Sequence, residues 1–279
     1  MSGPYDLHCH SATSDGHLAP TEVVARAAGL GLAALALTDH DTVAGVAEAQ
    51  RAAASYGLRL VPGVELSVLW QRRTLHVVGL GVDPQEPGLQ AGLAQMQRAR
   101  QERGEAIGER LEQAGLSGAR AGARAVAGSA DITRAHYARW MVASGQVRGF
   151  EEAFKRYLRQ GRVGYVPGDW VAMEQGIEWI RGAGGIAVLA HPLGYGLTGA
   201  WLRRVLDAFT AAGGGGMEVA CGSSPEPRQV QRLGGWCRRY GLLASAGSDF
   251  HAPGDLSSRE LGAAPALPGD LPRLLDALP

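Results

Sequence analysis

Short apolar runs alternate along the chain with segments in which apolar residues recur every three or four positions. The short runs are apolar throughout, which is typical of buried parallel strands, and the longer segments have the period of amphipathic helices. Strands are predicted over 33–37, 58–61, 75–80, 186–189, 217–220 and 242–246. Helices are predicted over 21–29, 44–56, 174–182, 200–212 and 226–240. This alternation predicts an α/β barrel-like fold.

The alternation is interrupted between residues 97 and 165. Helices are predicted here over 96–114, 132–143 and 150–158, with an Ala/Gly/Arg loop over 118–128. We therefore expect a barrel domain made of residues 1–96 and 166–279. Residues 97–165 are expected to form a small helical insertion, or cap domain, placed over the barrel mouth.

Composition narrows the class of protein. Hydrophobic residues make up 46% of the 279, which is ample for a packed core. No apolar stretch reaches the length of a membrane span, and Cys9, Cys221 and Cys237 are too scattered for a disulfide framework. We expect a cytoplasmic protein with reduced thiols, no membrane contact and no obligate protein partner.

Charge is distributed unevenly, although the formal net charge is zero. Residues 97–165 contain 13 basic and 7 acidic side chains, and the rest of the chain has an equal excess of acidic side chains. A basic segment of this kind attracts anionic substrates. Arginines on the solvated faces of helices are the other explanation, and charge alone does not separate the two.

Most of the eight histidines lie in short segments that also carry carboxylates or follow a predicted strand. The spacing of His8 and His10 points both rings to one side of a strand. Asp249 and His251 repeat that spacing after the last predicted strand. His40 and His191 each follow a predicted strand directly. Catalytic residues of α/β barrels gather at the carboxyl ends of strands, so these segments predict a polynuclear metal site there.

Three further residues are candidate metal ligands only when they are considered together with the histidine segments. Glu65 comes shortly after the strand predicted over 58–61, His76 lies within the strand over 75–80, and Asp15 precedes a glycine. Each one alone has a structural explanation, as a core or turn residue. Together with the histidine segments they are candidate ligands. His17 belongs to no segment of this kind and is expected at the surface.

The segments Asp-Leu-His-Cys-His at 6–10, Thr-Asp-His-Asp at 38–41, Gly-Val-Glu at 63–65, Ala-His-Pro at 190–192 and Ser-Asp-Phe-His at 248–251 resemble the polymerase and histidinol phosphatase (PHP) superfamily. The resemblance implies a distorted (β/α)7 barrel with three divalent metal ions, manganese first and iron or zinc as alternatives. It also implies the ligands: His8, His10, Glu65 and Asp249 for one ion, Glu65, His76 and His191 for the second, and Asp15, His40 and His251 for the third.

Within the superfamily the chain is similar to the bacterial 3',5'-nucleoside bisphosphate phosphatases, a branch that also includes 5'-to-3' exoribonucleases acting on short RNA. The segments at 63–68, 76–81, 133–139 and 155–158 carry this similarity. It implies that Arg134 and His136 contact substrate phosphate, and a guanidinium suits that role because it can bind phosphate through two N–H groups. The chain reads Leu-Gly-Tyr-Gly at 193–196, where the branch has an arginine. Lys155 or Arg162 is the expected replacement.

The resemblance implies metal-assisted hydrolysis of the 3'-phosphate of a nucleoside 3',5'-bisphosphate, such as adenosine 3',5'-bisphosphate to AMP. Asp249, His191 and His251 are the expected catalytic residues, and either histidine, or His136, is a candidate donor of the proton that the leaving alkoxide needs. Two alternatives remain within this chemistry: a 5'-to-3' exoribonuclease on short 5'-phosphorylated RNA, and a histidinol-phosphate phosphatase.

Two other classes of protein share part of the pattern. Amidohydrolase barrels also begin with His-x-His, but many use a carboxylated lysine as the bridging ligand, and the chain's one lysine, Lys155, lies in the insertion. Subtypes bridged by glutamate stay possible. A non-enzymatic barrel, with structural metals or with an arginine-rich nucleic-acid surface, would not need a complete ligand set, and the insertion has no recognised nucleic-acid motif.

Overall fold

The computed structural model describes residues 3–222, 226–254 and 259–279. The chain forms two compact units: Met1–Leu93 with Val171–Pro279, here the barrel unit, and Ala94–Trp170, here the helical unit. No helix in the described ranges is long and apolar enough to cross a membrane. The expected position of the helical segment over the barrel mouth stays a prediction.

The barrel unit is built on a curved sheet. Its strands are β1 (Tyr5–Asp6), β2 (Ala34–Leu37), β3 (Arg59–Trp70), β4 (Arg73–Leu80), β5 (Val171–Ala172), β6 (Ile186–Leu189), β7 (Gly216–Ala220) and β8 (Leu243–Ala246). Along the sheet the order is β1-β2-β3-β4-β6-β7-β8, and β5 pairs with β3. The seven strands of this path, surrounded by helices, confirm the expected distorted α/β barrel.

One strand runs against the prediction. β4 is antiparallel to both β3 and β6, so the expected repeat of strand and helix is broken between β3 and β4. A two-residue turn joins them, with Gln71 and Arg72 at φ 45° and 63°, and left-handed residues of this kind allow a tight hairpin. β3 also continues to Trp70, so Glu65 lies inside this strand and not beyond its end.

Ten helices occur in the described ranges. They are α1 (Pro20–Gly29), α2 (Val46–Tyr56), α3 (Pro87–Gln113), α4 (Ala119–Ala127), α5 (Arg134–Ala143), α6 (Phe150–Ala153, continued by a π-helical turn, Phe154–Leu158), α7 (Met173–Gly182), α8 (Gly199–Ala211), α9 (Pro227–Tyr240) and α10 (Leu274–Ala277). α4 replaces the predicted Ala/Gly/Arg loop, which was wrong. Its buried residues Ala119, Ala123 and Ala127 recur every four positions, as one face of a helix does.

The helical unit has its own core. Ile107, Leu111, Tyr137 and Met141 are fully buried in it. The hydroxyl of Tyr137 donates a hydrogen bond to the backbone carbonyl of Gly104 at 2.9 Å, which satisfies the one polar atom of this side chain. The helices of this unit therefore pack around a buried, largely apolar centre.

The first and last strands meet and close the barrel. The backbone N–H of Leu7 donates to the carbonyl of Ala246 at 3.1 Å, and Cys9 forms a parallel bridge with Phe250. Gly247 fits here because a Cβ at this position would lie 2.4 Å from the Cβ of His8. The closure therefore brings the segment after β1 alongside the segment after β8.

Asp6 stabilises this closure. Its carboxylate is fully buried and accepts three backbone N–H groups, from His8 at 3.1 Å, Ser248 at 2.9 Å and Gly262 at 2.8 Å. Burial raises the pKa of this carboxyl, and the three donors oppose that rise. One side chain thus connects the beginning of the barrel to two segments near its end.

Replacing Asp6 by alanine should open this closure. The change leaves three buried N–H donors unsatisfied, so we expect a loss of about 3 kcal/mol or more in the free energy of unfolding. That corresponds to a fall of roughly 6–12 °C in Tm, measured by thermal unfolding. Asp270→Ala removes a surface ion pair with Arg238 and should change Tm little. Equal Tm values for the two variants would contradict the role of Asp6.

Candidate metal centre

The nine predicted ligands come together at one end of the barrel unit. They lie in the segments that follow β1, β2, β6 and β8, and in the paired strands β3 and β4. His191 and Asp249 have positive φ angles of 26° and 55°, which non-glycine residues rarely adopt. The backbone N–H of Asp249 donates to the carbonyl of His8 at 2.9 Å, which helps to hold this conformation. His17 is exposed, as expected.

Four donor atoms form a compact set deep in the barrel. Nε2 of His8 lies 3.2 Å from Nε2 of His10, and both atoms lie 3.3 Å from Oε2 of Glu65. Oδ1 of Asp249 lies 3.4 Å from His8 Nε2 and 3.3 Å from His10 Nε2. Ligands bound to one ion at about 2.1 Å are separated by about 3.0–3.4 Å. The four atoms therefore have the spacing of a single coordination shell.

A second set forms around the other oxygen of Glu65. Oε1 lies 2.9 Å from Nδ1 of His76 and 3.0 Å from Nε2 of His191, and the two ring nitrogens are 3.2 Å apart. Glu65 thus has one oxygen in each set. A carboxylate placed in this way can bridge two cations.

The third set is more open. Oδ1 of Asp15 lies 3.4 Å from Nε2 of His251 and 3.9 Å from Nε2 of His40. The other ring nitrogen of His40, Nδ1, lies 3.0 Å from Oε2 of Glu65. His10, Asp15, His40 and His251 each have a donor atom within 4.8 Å of the others. His40 therefore lies between the third set and the first.

The donor chemistry fits divalent cations. Oε2 of Glu65 and Nδ1 of His40 are buried and make no hydrogen bond of acceptable geometry to any described residue. Burying such atoms without partners is costly. Imidazole and carboxylate are the ligands of zinc, iron and manganese sites. A bound cation would satisfy these atoms, so the residues present fit such a group.

The imidazoles respond differently to their surroundings. Burial alone would lower the pKa of His8, but the carboxylates of Glu218 and Glu65 raise that pKa well above its ordinary value. Burial also opposes a charge on His10, and hydrogen bonds to carboxylates overcome it, raising the pKa to about 10. For His40 burial prevails, and its pKa falls to about 4. Carboxylate charge therefore dominates the deepest part of the site.

The carboxylates stay ionised in spite of burial. Burial would raise the pKa of Glu65, but the imidazoles of His40 and His76 hold it well below its usual range. Asp249 behaves in the same way, chiefly because of His8. Ionised carboxylates in a buried pocket create a strong attraction for cations.

Glu218 was missed by the sequence reasoning. It is buried on β7, where Oε1 contacts Nδ1 of His8 at 2.7 Å and Oε2 accepts the backbone N–H of His191 at 2.6 Å. A carboxylate on the far nitrogen of a ligating histidine fixes the ring's orientation and tautomer. The signal was present, because Glu218 is the one charged residue in the apolar run 217–220. With Cys221 and His8 it also forms a further group of possible ligands.

Two aspartates that flank His40 hold the surrounding loops. Asp39 accepts hydrogen bonds from the backbone N–H and hydroxyl of Ser11 at 2.7 and 2.6 Å, and from the hydroxyl of Ser14 at 2.6 Å. Asp41 accepts the backbone N–H of Ser67 at 2.7 Å. These carboxylates are therefore engaged in positioning the loops and not in the donor sets.

The predicted substrate residues Arg134, His136 and Lys155 lie in the helical unit. His136 is buried, and its Nδ1 accepts the backbone N–H of Thr133 at 3.0 Å, as part of the capping of α5. The guanidinium carbon of Arg134 lies 5.6 Å from the ring centroid of Phe154. Their contact with substrate stays a prediction.

An open groove of about 580 Å³ lies in the helical unit, and Lys155 and Arg162 both line it. Arg148 and Arg156 also line it, and both pair with Glu152, at 3.2 and 3.0 Å. Hydrogen bonds from the Arg148 backbone and the two side chains lower the pKa of Glu152 to about 2. The two residues expected to replace the missing arginine thus share one basic groove.

Fold and site together define a barrel with a buried cluster of imidazole and carboxylate donors suited to divalent cations. The pattern of the PHP domain matches residues 6–166, more than half of the chain. The chain belongs to the PHP domain family, which confirms the expected superfamily.

Known proteins are similar over nearly the whole chain. A 5'-3' exoribonuclease of Haemophilus influenzae is 47% identical over 254 residues, covering 91% of this chain and 92% of that protein. A 3',5'-nucleoside bisphosphate phosphatase of Chromobacterium violaceum is 47% identical over 264 residues, covering 94% and 92%. A solved structure from Chromobacterium violaceum, described as an amidohydrolase with bound sulfate and no metal, has a TM-score of 0.93 at 44% identity, covering 98% and 95%.

The bridging position bears on the amidohydrolase alternative. The residue between the first two donor sets is Glu65, with one oxygen toward each. The chain's one lysine belongs to the helical unit. Among the described residues, a glutamate and no lysine therefore lies between the first two donor sets.

Glu218→Gln should weaken metal binding without unfolding the barrel. The amide is isosteric but lacks the charge that orients His8, so we expect affinity for Mn²⁺ to fall by about 10–100-fold. Competition with a fluorescent chelator measures this affinity. Glu174→Gln, at an exposed position in the first turn of α7, is the matched control and should bind as the wild type does. An unchanged affinity in Glu218→Gln would refute the positioning role.

Proposed function

We propose that the chain is a metal-dependent phosphoesterase that removes the 3'-phosphate of nucleoside 3',5'-bisphosphates. The observation that carries this proposal is the pair of donor sets joined by Glu65, because two adjacent cations are the usual means of hydrolysing phosphate esters. The similar phosphatase of Chromobacterium violaceum supports this substrate. Adenosine 3',5'-bisphosphate would give AMP and phosphate.

The third donor set supports a trinuclear site. In this proposal the ions are held by His8, His10, Glu65 and Asp249, by Glu65, His76 and His191, and by Asp15, His40 and His251. Manganese is the proposed metal, with iron or zinc as alternatives, because mixed imidazole and carboxylate donors suit all three. When bound, such cations polarise the phosphoryl oxygens and lower the pKa of a bound water to about 7.

The residues around the donors form an exposure gradient that indicates where substrate enters. The side chains of His8 and His10 are fully buried, whereas those of His76, His251 and Asp249 are 25%, 20% and 26% exposed. A phosphate group would therefore approach from the side of these three residues. His8 and His10 would hold the deep end of the site and exclude water from it.

A proton must reach the leaving 3'-oxygen. His136, His191 and His251 stay the candidates for this role. Nδ1 of His251 lies 2.8 Å from the backbone carbonyl of Asp249, and Nε2 of His191 lies 3.0 Å from Glu65. Either histidine can donate a proton from Nε2 only while that atom binds no cation, because a nitrogen bound to a cation carries no proton. Asp249 completes the catalytic set, as a ligand that faces the substrate.

A second candidate function is 5'-to-3' hydrolysis of short 5'-phosphorylated RNA. The Haemophilus influenzae exoribonuclease is as similar to this chain as the phosphatase is, and phosphodiester cleavage requires the same donors. Histidinol-phosphate hydrolysis stays a prediction. A cytoplasmic location also stays a prediction. The three free cysteines are consistent with it, because thiols stay reduced in that compartment.

Phosphate release by the manganese-loaded protein tests the proposal. The substrates are adenosine 3',5'-bisphosphate, 3'-AMP, 5'-AMP, histidinol phosphate and a 5'-phosphorylated RNA trimer, with a chelated sample beside them. We expect chelator-sensitive release from the bisphosphate, because both of its phosphates are recognised. Nucleotide release from the trimer alone would replace this proposal by the second candidate.

Glu65→Gln serves as the control for the metal site in that experiment. Losing the bridge should remove several kcal/mol of transition-state stabilisation, which is about 10³-fold or more in rate. Metal content, measured by mass spectrometry of the protein's ions, should fall as well. Glu178→Gln, on the surface of α7, should retain both. Full activity in a metal-depleted Glu65→Gln protein would exclude metal catalysis.

Arg134→Ala tests the phosphate contact proposed in the helical unit. A charged hydrogen bond to phosphate contributes about 1.5–3 kcal/mol, so KM for adenosine 3',5'-bisphosphate should rise roughly 10–100-fold. kcat should change little, because the metal ligands are intact. Arg139→Ala on the same helix is the control. A fall in kcat at constant KM would contradict a role in recognition.

A further inference from the structure

A patch of tryptophan and arginine lies where the β3–β4 hairpin meets the start of α8. We call it the Trp201 patch, and it consists of Trp70, Arg73, Trp201 and Arg204. The two indole rings meet edge to face at 89°, with centroids 6.0 Å apart. The guanidinium carbons of Arg73 and Arg204 lie 4.8 and 4.6 Å from the Trp201 centroid. Stacking on the ring orders each guanidinium while its N–H groups stay available to an anion.

The positive charge of this patch, and of Arg72 beside it, is not neutralised by any carboxylate of the described residues. Arg72, Arg73 and Arg204 form no ion pair with any carboxylate in the described ranges of the chain. Arg204 makes one long hydrogen bond, to Oε1 of Gln71 at 3.3 Å. Arg238, in comparison, is paired at the surface, with its Nε 2.7 Å from Oδ2 of Asp270. Three exposed guanidiniums that lack a carboxylate partner among the described residues, two on the hairpin and one in α8, favour an anionic ligand with several charges.

The patch lies at the same end of the barrel as the donor sets. Arg73 begins β4 three residues before His76, a distance of about 10 Å along the strand. The segment between β6 and α8 also connects the two places, because Tyr195 in this segment accepts the backbone N–H of His76 at 2.7 Å. A ligand that starts in the metal centre could therefore reach the patch across a continuous rim.

The odd spacing of Arg73 and His76 sets the path of such a ligand. Residues three apart point to opposite faces of a strand, so His76 faces the barrel interior and Arg73 faces the helices. A strand of stacked nucleotides that contacts both must pass over the hairpin tip, where Arg72 lies. At the stacked rise of about 3.4 Å per nucleotide, 10 Å corresponds to about three nucleotides.

We propose that the Trp201 patch binds the phosphodiester backbone of single-stranded RNA whose 5' end occupies the metal centre. The inference rests on the phosphoesterase function proposed above and extends its substrates to oligonucleotides longer than about three residues. Arg73 and Arg204 hold successive phosphates, and Trp201 orders both guanidiniums. A mononucleotide is too short to reach the patch, so its hydrolysis does not depend on these side chains.

RNA binding by the full chain tests the patch independently of turnover. The probe is a fluorescent, 5'-phosphorylated RNA decamer with 2'-O-methyl and phosphorothioate groups that resist hydrolysis, and anisotropy gives Kd. In the double variant Arg73→Ala/Arg204→Ala we expect Kd to rise 10–100-fold. Because each phosphate contact to a single strand contributes about 0.7 to the slope of log K against log salt, the slope should fall by about 1.4.

The matched control removes two arginines at the other end of the barrel. Arg181 and Arg239 lie in the last turns of α7 and α9, and Arg239 also stacks on a tryptophan, at 5.7 Å from Trp236. Arg181→Ala/Arg239→Ala should bind the decamer with the wild-type Kd. Equal Kd values for the wild type and the Arg73→Ala/Arg204→Ala variant would overturn the proposal. Arg73→Lys/Arg204→Lys keeps the charge and should retain the salt slope. This variant shows whether a loss of binding in the alanine variant comes from the lost charge or from misfolding of the hairpin.

Turnover provides the second readout. In Arg73→Ala/Arg204→Ala, kcat/KM should fall at least 10-fold on an unmodified 5'-phosphorylated decamer and stay unchanged on adenosine 3',5'-bisphosphate. An equal loss on both substrates would show that the patch supports the fold of the site, which overturns the proposal. If the wild type hydrolyses neither substrate while decamer binding still depends on both arginines, the proposed function fails and the RNA-binding patch stands.

Discussion

Closure of the barrel is the constraint on which the rest of the structure depends. The segment after β1 and the segment after β8 are far apart in sequence, yet the carboxylate of Asp6 accepts N–H groups from both. The N–H of Asp249 then donates to the carbonyl of His8, so the two ligand-bearing segments form one short ladder. The spacing of the deepest donors, 3.2–3.4 Å, is a consequence of this register. If the barrel did not close, the ligands that follow β1 would be separated from those that follow β8.

Glu65 is a buried negative charge that the surrounding residues must compensate. It lies in the middle of a strand, almost completely buried, with one oxygen toward each of two groups of imidazoles. Because a buried carboxylate is costly unless it is compensated, the fold tolerates Glu65 only with positive charge close to both oxygens. Protons on the imidazoles supply that charge to some extent, as the raised pKa of His8 indicates. Divalent cations would supply that charge with better geometry. The stability of the fold and the proposed chemistry therefore both require positive charge beside Glu65.

Local sequence patterns predicted where most strands and helices lie better than they predicted how these elements are connected. Apolar runs located most of the strands, although only the first part of β3, and histidine spacing located most of the donors, because both signals lie within a few residues. The direction of β4 depends on a turn at Gln71 and Arg72, two residues without a strong turn preference, so the hairpin was missed. The helix α4 was missed because its glycines resemble a loop, while the burial of its alanines is decided by tertiary packing. Glu218 has no motif of its own, and its role appears only when β7 lies beside His8.

A metal centre of this kind does not by itself choose between a nucleotide and an RNA chain, because the phosphorus atom and its oxygens are the same in both. Selection must come from groups that contact the substrate away from the reacting phosphate. In the barrel unit the segment at 193–196 offers glycines and Tyr195 in place of an arginine, and Tyr195 is engaged with His76. The guanidiniums of the Trp201 patch lie further out, on the hairpin and in α8, and pair with no carboxylate in the part of the chain that the structure describes. Positive charge placed at that distance adds binding energy only for a substrate long enough to reach it, so it would extend the substrates to RNA and leave hydrolysis of a bisphosphate unaffected.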